Sequence, residues 1–117
     1  MNKKEIKIIL SSEAREVYEH LNREAPNSKT ERTLLRSIQQ KIEFIKQNPH
    51  YGNPISKKLI PRDYNIKYGN INLFRIELPN FWRMLYTLSE GETKVEIIAF
   101  VLDIINHSDY NRKFGYS

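Results

Sequence analysis

Arginine, histidine and tyrosine can together work on a phosphate ester, and this chain sets all three near the ends of short apolar runs. LFRIELPNFWRMLY, Leu73 to Tyr86, carries Arg75 and Arg83 on either side of a Pro-Asn turn. The run FVLDIINHSDY, ending at Tyr110, delivers His107 and Tyr110 just past its apolar part. A guanidinium offsets phosphate charge, an imidazole titrating near ~6.5 moves protons at neutral pH, and a phenol stacks or hydrogen-bonds. These are parts for cutting RNA without a metal. They matter only if the strands put them on one face.

The pattern of apolar residues chooses that face. If Leu78 pairs with Trp82 across a three-residue connection, Ile76 faces Met84 and Phe74 faces Tyr86. One side of the hairpin is then wholly apolar. The other holds Leu73 opposite Thr87, Arg75 opposite Leu85 and Glu77 opposite Arg83. A slip of one residue mixes both faces, so burial of one face specifies the first register. Arg75 and Arg83 then project from one surface, either as a binding site or as two solvated arginines. Glu77 lies opposite Arg83 and can partly neutralise it.

The remaining elements follow from periodicity. Glu5 to Leu10 reads as a first strand, and Ser11 or Ser12 can cap the helix after it. Ala14, Val17, Tyr18, Leu21 and Ala25 recur at helical spacing, leaving Glu13, Arg15, Glu16 and Glu19 outward. Pro26 and Asn27 end that helix. Ser28 followed by Glu31 forms a capping-box signature for a second, longer one. Its stripe is Leu34, Leu35, Ile38, Ile42 and Ile45, and Asn48-Pro49 stops it. Two helices joined by so short a link pack as an antiparallel hairpin on the sheet.

Residues 49 to 71 read as irregular, broken by Pro49, Gly52, Pro54, Pro61 and Gly69. Lys57, Lys58, Arg62 and Lys67 make the segment basic, either to touch phosphates or as a solvated connector. The interleaved Tyr51, Tyr64 and Tyr68 either stack on bases or pin the segment to the core. After the hairpin, Lys94 to Ile105 is apolar on both faces, as a central strand should be, with Asp103 the charge in its second half. The tail NHSDYNRKFGYS, which includes the basic Arg112, crosses the end of the sheet with Phe114 and Tyr116 as anchors. His20 and His50 read as structural or exposed.

Composition sets wider bounds. The chain has 117 residues and a formal charge of +5, with a pI near 9.5, so it is one domain suited to a polyanion or an acidic partner. With no cysteine it has neither a disulfide framework nor a thiolate metal site. No cofactor motif appears, and its three histidines lack metal-ligand spacing. No apolar run approaches the ~18 residues of a membrane span, and MNKKEIKIIL is too short in its apolar part for a signal peptide. A cytoplasmic, soluble domain with no membrane contact is the expectation.

The order strand, helix, helix, three-strand meander resembles the RelE/ParE toxin superfamily of toxin–antitoxin systems over nearly the whole chain. LFRIELPNFWRMLY is similar to that family's hairpin, and IIAFVLDIINHSDY to its last strand with a basic or His residue and a Tyr beyond it. QNPHYGNPISKKL is similar to its junction after the second helix. The resemblance implies an α+β fold, βααβββ, with an antiparallel-rich four-stranded sheet and a helical hairpin on one face.

For a RelE-like member it further implies a ribosome-dependent, metal-independent messenger RNA endoribonuclease acting by 2′-hydroxyl transesterification. A cognate antitoxin would neutralise it. Arg83 falls on the family's hairpin arginine and takes the phosphate. Arg75 stands where RelE has a lysine, and His107 where members carry arginine, lysine or histidine. Tyr110 would stack on a base or orient the phosphate. Glu77 departs from the pattern, since RelE has a second lysine there, and is either a restraint on Arg83 or a base. Lys57, Lys58, Arg62, Lys67 and Arg112 complete the expected RNA surface. The alternatives are a ParE-like inhibitor that binds DNA gyrase and an inactive relative.

Overall fold

A computed structural model describes residues 5–93 and 96–116. In chain order the elements are β1 (Glu5–Leu10), α1 (Ser12–Glu24), α2 (Lys29–Gln47), β2 (Asn53–Pro54) and α3 (Arg62–Tyr68). They continue with β3 (Phe74–Glu77), β4 (Arg83–Glu90), β5 (Glu96–Ile105) and α4 (His107–Phe114). The five strands form one mixed sheet in the order β1-β5-β4-β3-β2. The α+β class is as expected, but the sheet has a fifth strand and one parallel pairing, between β1 and β5. The extra strand is two residues long and contains Pro54, so no alternation marks it. Proline has no N–H to give a ladder, and an edge is where it is tolerated. The expected start of β5 at Lys94 and Val95 lies outside the described residues.

The central hairpin has the register that burial demands. Phe74 faces Tyr86, Arg75 faces Leu85, Ile76 faces Met84 and Glu77 faces Arg83. The Leu78 amide donates to the Trp82 carbonyl at 2.8 Å and closes the three-residue turn. β4 then pairs with β5 through a bulge: Leu85 faces Asp103 but Tyr86 faces Val101, so Leu102 is the extra residue. The bulge lets Val101 and Ile104 both join the helical side, while Leu102 packs on the other face.

α1 and α2 cover one face with an apolar core. Ala14, Leu21, Leu34, Ile38 and Ile45 pack on Phe74, Ile76, Met84, Tyr86, Ala99 and Val101. Of the two serines expected to cap α1, Ser11 does so: its Oγ accepts from the Ala14 amide at 3.0 Å and donates to the Leu102 carbonyl at 2.6 Å. Ser28 precedes α2, but its hydroxyl meets the Glu31 carboxylate and makes no bond to a backbone amide, so the capping box is not formed as expected.

The second face carries a smaller core, held by short elements that periodicity does not mark. The segment expected to be irregular contains α3, and the tail contains α4. α3 is seven residues long and offers only Tyr64 and Tyr68 at helical spacing, too little for periodicity to show. Ile60, Tyr64, Leu73, Leu85, Leu102 and Tyr110 are buried together there, with Phe114 packed against them. Tyr116, the other expected anchor, is 46% exposed. At the β2 edge, a Cβ on Gly52 would lie 2.9 Å from a Tyr86 ring carbon and 3.1 Å from the Phe74 Cβ. The Gly52 amide donates to the Tyr86 hydroxyl at 2.9 Å, and that hydroxyl donates to the Pro49 carbonyl at 2.8 Å. Glycine thus lets β2 close on β3 beside Arg75.

Candidate functional site

Alternation along β3 and β4 puts Arg75, Glu77 and Arg83 on the face away from the helical hairpin. α4 begins one residue after β5, capped by Asn106, whose side chain accepts from the Asp109 amide at 2.8 Å. That start brings His107 and Tyr110 over the end of the sheet. Arg83 Nη1 lies 2.9 Å from His107 Nδ1 and donates to the Phe81 carbonyl at 2.5 Å. Arg75 Nη1 donates to the Tyr110 hydroxyl at 2.9 Å. Arg75, Glu77, Arg83, His107 and Tyr110 therefore form one connected cluster.

Tyr110 is the cluster's organiser. Its ring is 3% exposed, stacked on Phe114 at 4.3 Å, with the Arg83 guanidinium carbon 4.7 Å from its centroid. With its ring occupied in this way it has no face for a base, so the stacking role expected of it does not fit. It holds the two arginines instead. The Tyr110 hydrogen bond raises the affinity of Arg75 for its proton above the ordinary value, against the opposing effect of burial.

His107 has a polar partner at each ring nitrogen: Arg83 at Nδ1, and the Asn111 amide 3.1 Å from Nε2. A guanidinium only donates, so Nδ1 accepts and a neutral ring carries its proton on Nε2. The Asn111 amide then presents its oxygen, since its two ends are interchangeable by rotation. Asn111 was not singled out from the sequence. Its position four residues after His107 has meaning only once α4 is known to be helical.

Glu77 sits between the arginines. Its carboxylate is 3.0 Å from Arg75 Nε and 3.5 Å from Arg83 Nε, yet neither Nε forms a directed hydrogen bond. These are ion pairs without alignment, made by a carboxylate that is half exposed. Beside them runs an open groove of about 320 Å³, lined by Lys41, Tyr51, Asn53, Arg75 and Glu77.

The other expected cations are not gathered there. Lys67 pairs with Glu13 of α1 and lies 5.5 Å over the Tyr68 ring. Arg112 pairs with Asp109 at 3.1 Å and is 76% exposed, and Lys57 reaches Asn70 at 3.3 Å. Lys58 and Arg62 are exposed. Asp103 serves the second core: the Tyr64 hydroxyl donates to it at 2.5 Å, and Lys113 lies 3.8 Å away. Burial, then the Asp103 charge, pushes the Tyr64 phenol far above its usual range, so it stays a donor.

Among the described residues no group of three or more His, Cys, Asp or Glu could hold a metal ion, and no helix is long and apolar enough to cross a membrane. Two guanidiniums, an imidazole and a carboxylate within contact distance can bind a phosphate diester, offset charge on it and move protons beside it. Comparison with protein-family models, curated proteins and solved structures finds no match.

Proposed function

We propose that this chain is a RelE-like endoribonuclease, a toxin that cuts messenger RNA on the ribosome and is neutralised by a cognate antitoxin. The observation that carries the reading is the Arg83–His107 contact at 2.9 Å, with Arg75 tied to the same cluster through Tyr110. The reaction forms a bond from the ribose 2′-oxygen to phosphorus and breaks the bond to the 5′-oxygen. Charge builds on the phosphorane oxygens between those events. Arg83 and Arg75 are the fixed cations that offset it. His107 takes the 2′-hydroxyl proton at Nδ1 when Arg83 turns from it to the phosphate, and returns that proton to the departing 5′-oxygen. Ribosome dependence fits an open groove, which cannot by itself hold a flexible strand in line for attack. The antitoxin would supply acidic side chains to this basic surface, folding as it binds.

One observation favours the second reading, a ParE-like protein that binds DNA gyrase, or an inactive relative. Glu77 already occupies both arginines and partly fills the role of a phosphate. Mapping messenger RNA 5′ ends in a translation extract separates the two. The nuclease reading expects new 5′ ends on translated messages with wild type, none with Arg83→Ala, and fewer with His107→Gln. Intact messages with wild-type protein would move the assignment to gyrase binding or inactivity.

A further inference from the structure

Among the described residues, the non-glycine positions with positive φ fall together in the turn between β3 and β4. Asn80 and Phe81 both have positive φ, 59° and 62°. Asparagine visits that region readily, but a bulky aromatic there is an outlier. Phe81 is also 71% exposed, so burial does not offset the strain. Glycine at this position would relieve it without cost to the core.

What the conformation does is local. The Phe81 carbonyl accepts from the Arg83 nitrogen that also contacts His107, and its ring lies 5.8 Å from the His107 ring, tilted 54°. An aromatic face is thereby presented at the edge of the Arg83–His107 pair, where Tyr110 has none to offer.

We infer that Phe81 is the base platform of this site, stacking on the nucleobase next to the phosphate held by Arg83 and His107. This rests on the nuclease reading and names the part of the substrate that the strained residue recognises. Stacking uses the π-face that every base has, so the platform is tolerant of sequence and holds purines more tightly than pyrimidines through their larger area. Strain kept at an exposed residue beside a reactive pair is what such a role would require. A hot spot for a protein partner is the competing use of an exposed phenylalanine. The Arg83 guanidinium bound to the Phe81 carbonyl and the His107 ring beside it favour the nucleotide.

The test uses ribosomes programmed with a message that carries 2-aminopurine in the decoding site and 2′-O-methyl riboses, which remove the attacking hydroxyl. Wild-type protein should quench the fluorescence. Phe81→Gly should melt at a higher temperature yet bind about tenfold more weakly with the quench lost, and Phe81→Tyr should behave as wild type. A residue with only a structural role would not move stability and binding in opposite directions. Phe81→Gly that binds and quenches like wild type overturns the inference, whether or not an antitoxin or other protein still needs the ring. Cleavage of the unmodified message by the same wild-type preparation shows whether the nuclease reading survives that failure. Absence of both cleavage and quenching overturns the two together.

Discussion

The two faces of the sheet are built from the same strands and used in opposite ways. Under α1 and α2 the buried cluster among the described residues is hydrophobic, and its Tyr86 hydroxyl is bonded at the sheet edge. Across the sheet a smaller, more aromatic core ends at Arg75, Glu77 and Arg83, with Asp103 inside it. The first face carries the stability, so the second can carry charges whose arrangement costs stability. The largest break in that comparison should be Ile38→Ala, which empties a fully buried position in α2. It should cost about 2–5 kcal/mol in denaturant melts. Cleavage per folded molecule should be unchanged. A folded Ile38→Ala protein with lost cleavage would mean that the faces are coupled.

Glu77 sharpens the comparison from the charged side. Its carboxylate is half exposed, so Glu77→Gln should shift stability by no more than about 0.5 kcal/mol. The effect should appear in RNA binding. Freeing two guanidiniums should tighten it a few-fold and steepen the dependence of log Kd on log salt by about 1. Weaker binding would show that the carboxylate orders the arginines. Tighter binding with cleavage abolished would make it the base.

The apolar face was legible because it obeys two periods at once. The register of β3 against β4 follows from burial alone, as do the stripes of α1 and α2. On the other face legibility stopped early. β2 is too short to alternate and contains a proline, α3 shows only two tyrosines at helical spacing, and the bulge at Leu102 interrupts the period of β5. The site was half visible for the same reason. Arg75, Glu77 and Arg83 follow from strand register, whereas the Asn111 contact needs α4 and the presentation of Phe81 needs a backbone conformation that phenylalanine rarely adopts. The loop cations lie away from the cluster, and charge in a sequence does not reveal its partner: Lys67 has one in a helix 54 positions away.

That pair gives the smallest effect and the clearest sign. Hydrogen bonding to Lys67, then to its own backbone and to Ser12, holds the Glu13 carboxyl at about 2, below its ordinary 4.5. A carboxyl depressed in the folded state contributes stability above its unfolded value and loses it as pH falls through the folded one. Wild type and Glu13→Gln should therefore converge in stability near pH 2 and separate slightly above pH 4.5, with wild type the more stable. The separation should be close to the noise of a melt, because both side chains are about half exposed and solvent screens the pair. Where that pairing holds in the complex, Lys67→Ala should leave the salt slope of binding unchanged. A slope that falls by about 1 would return Lys67 to the RNA surface and show that the pair opens when a phosphate competes for the ammonium.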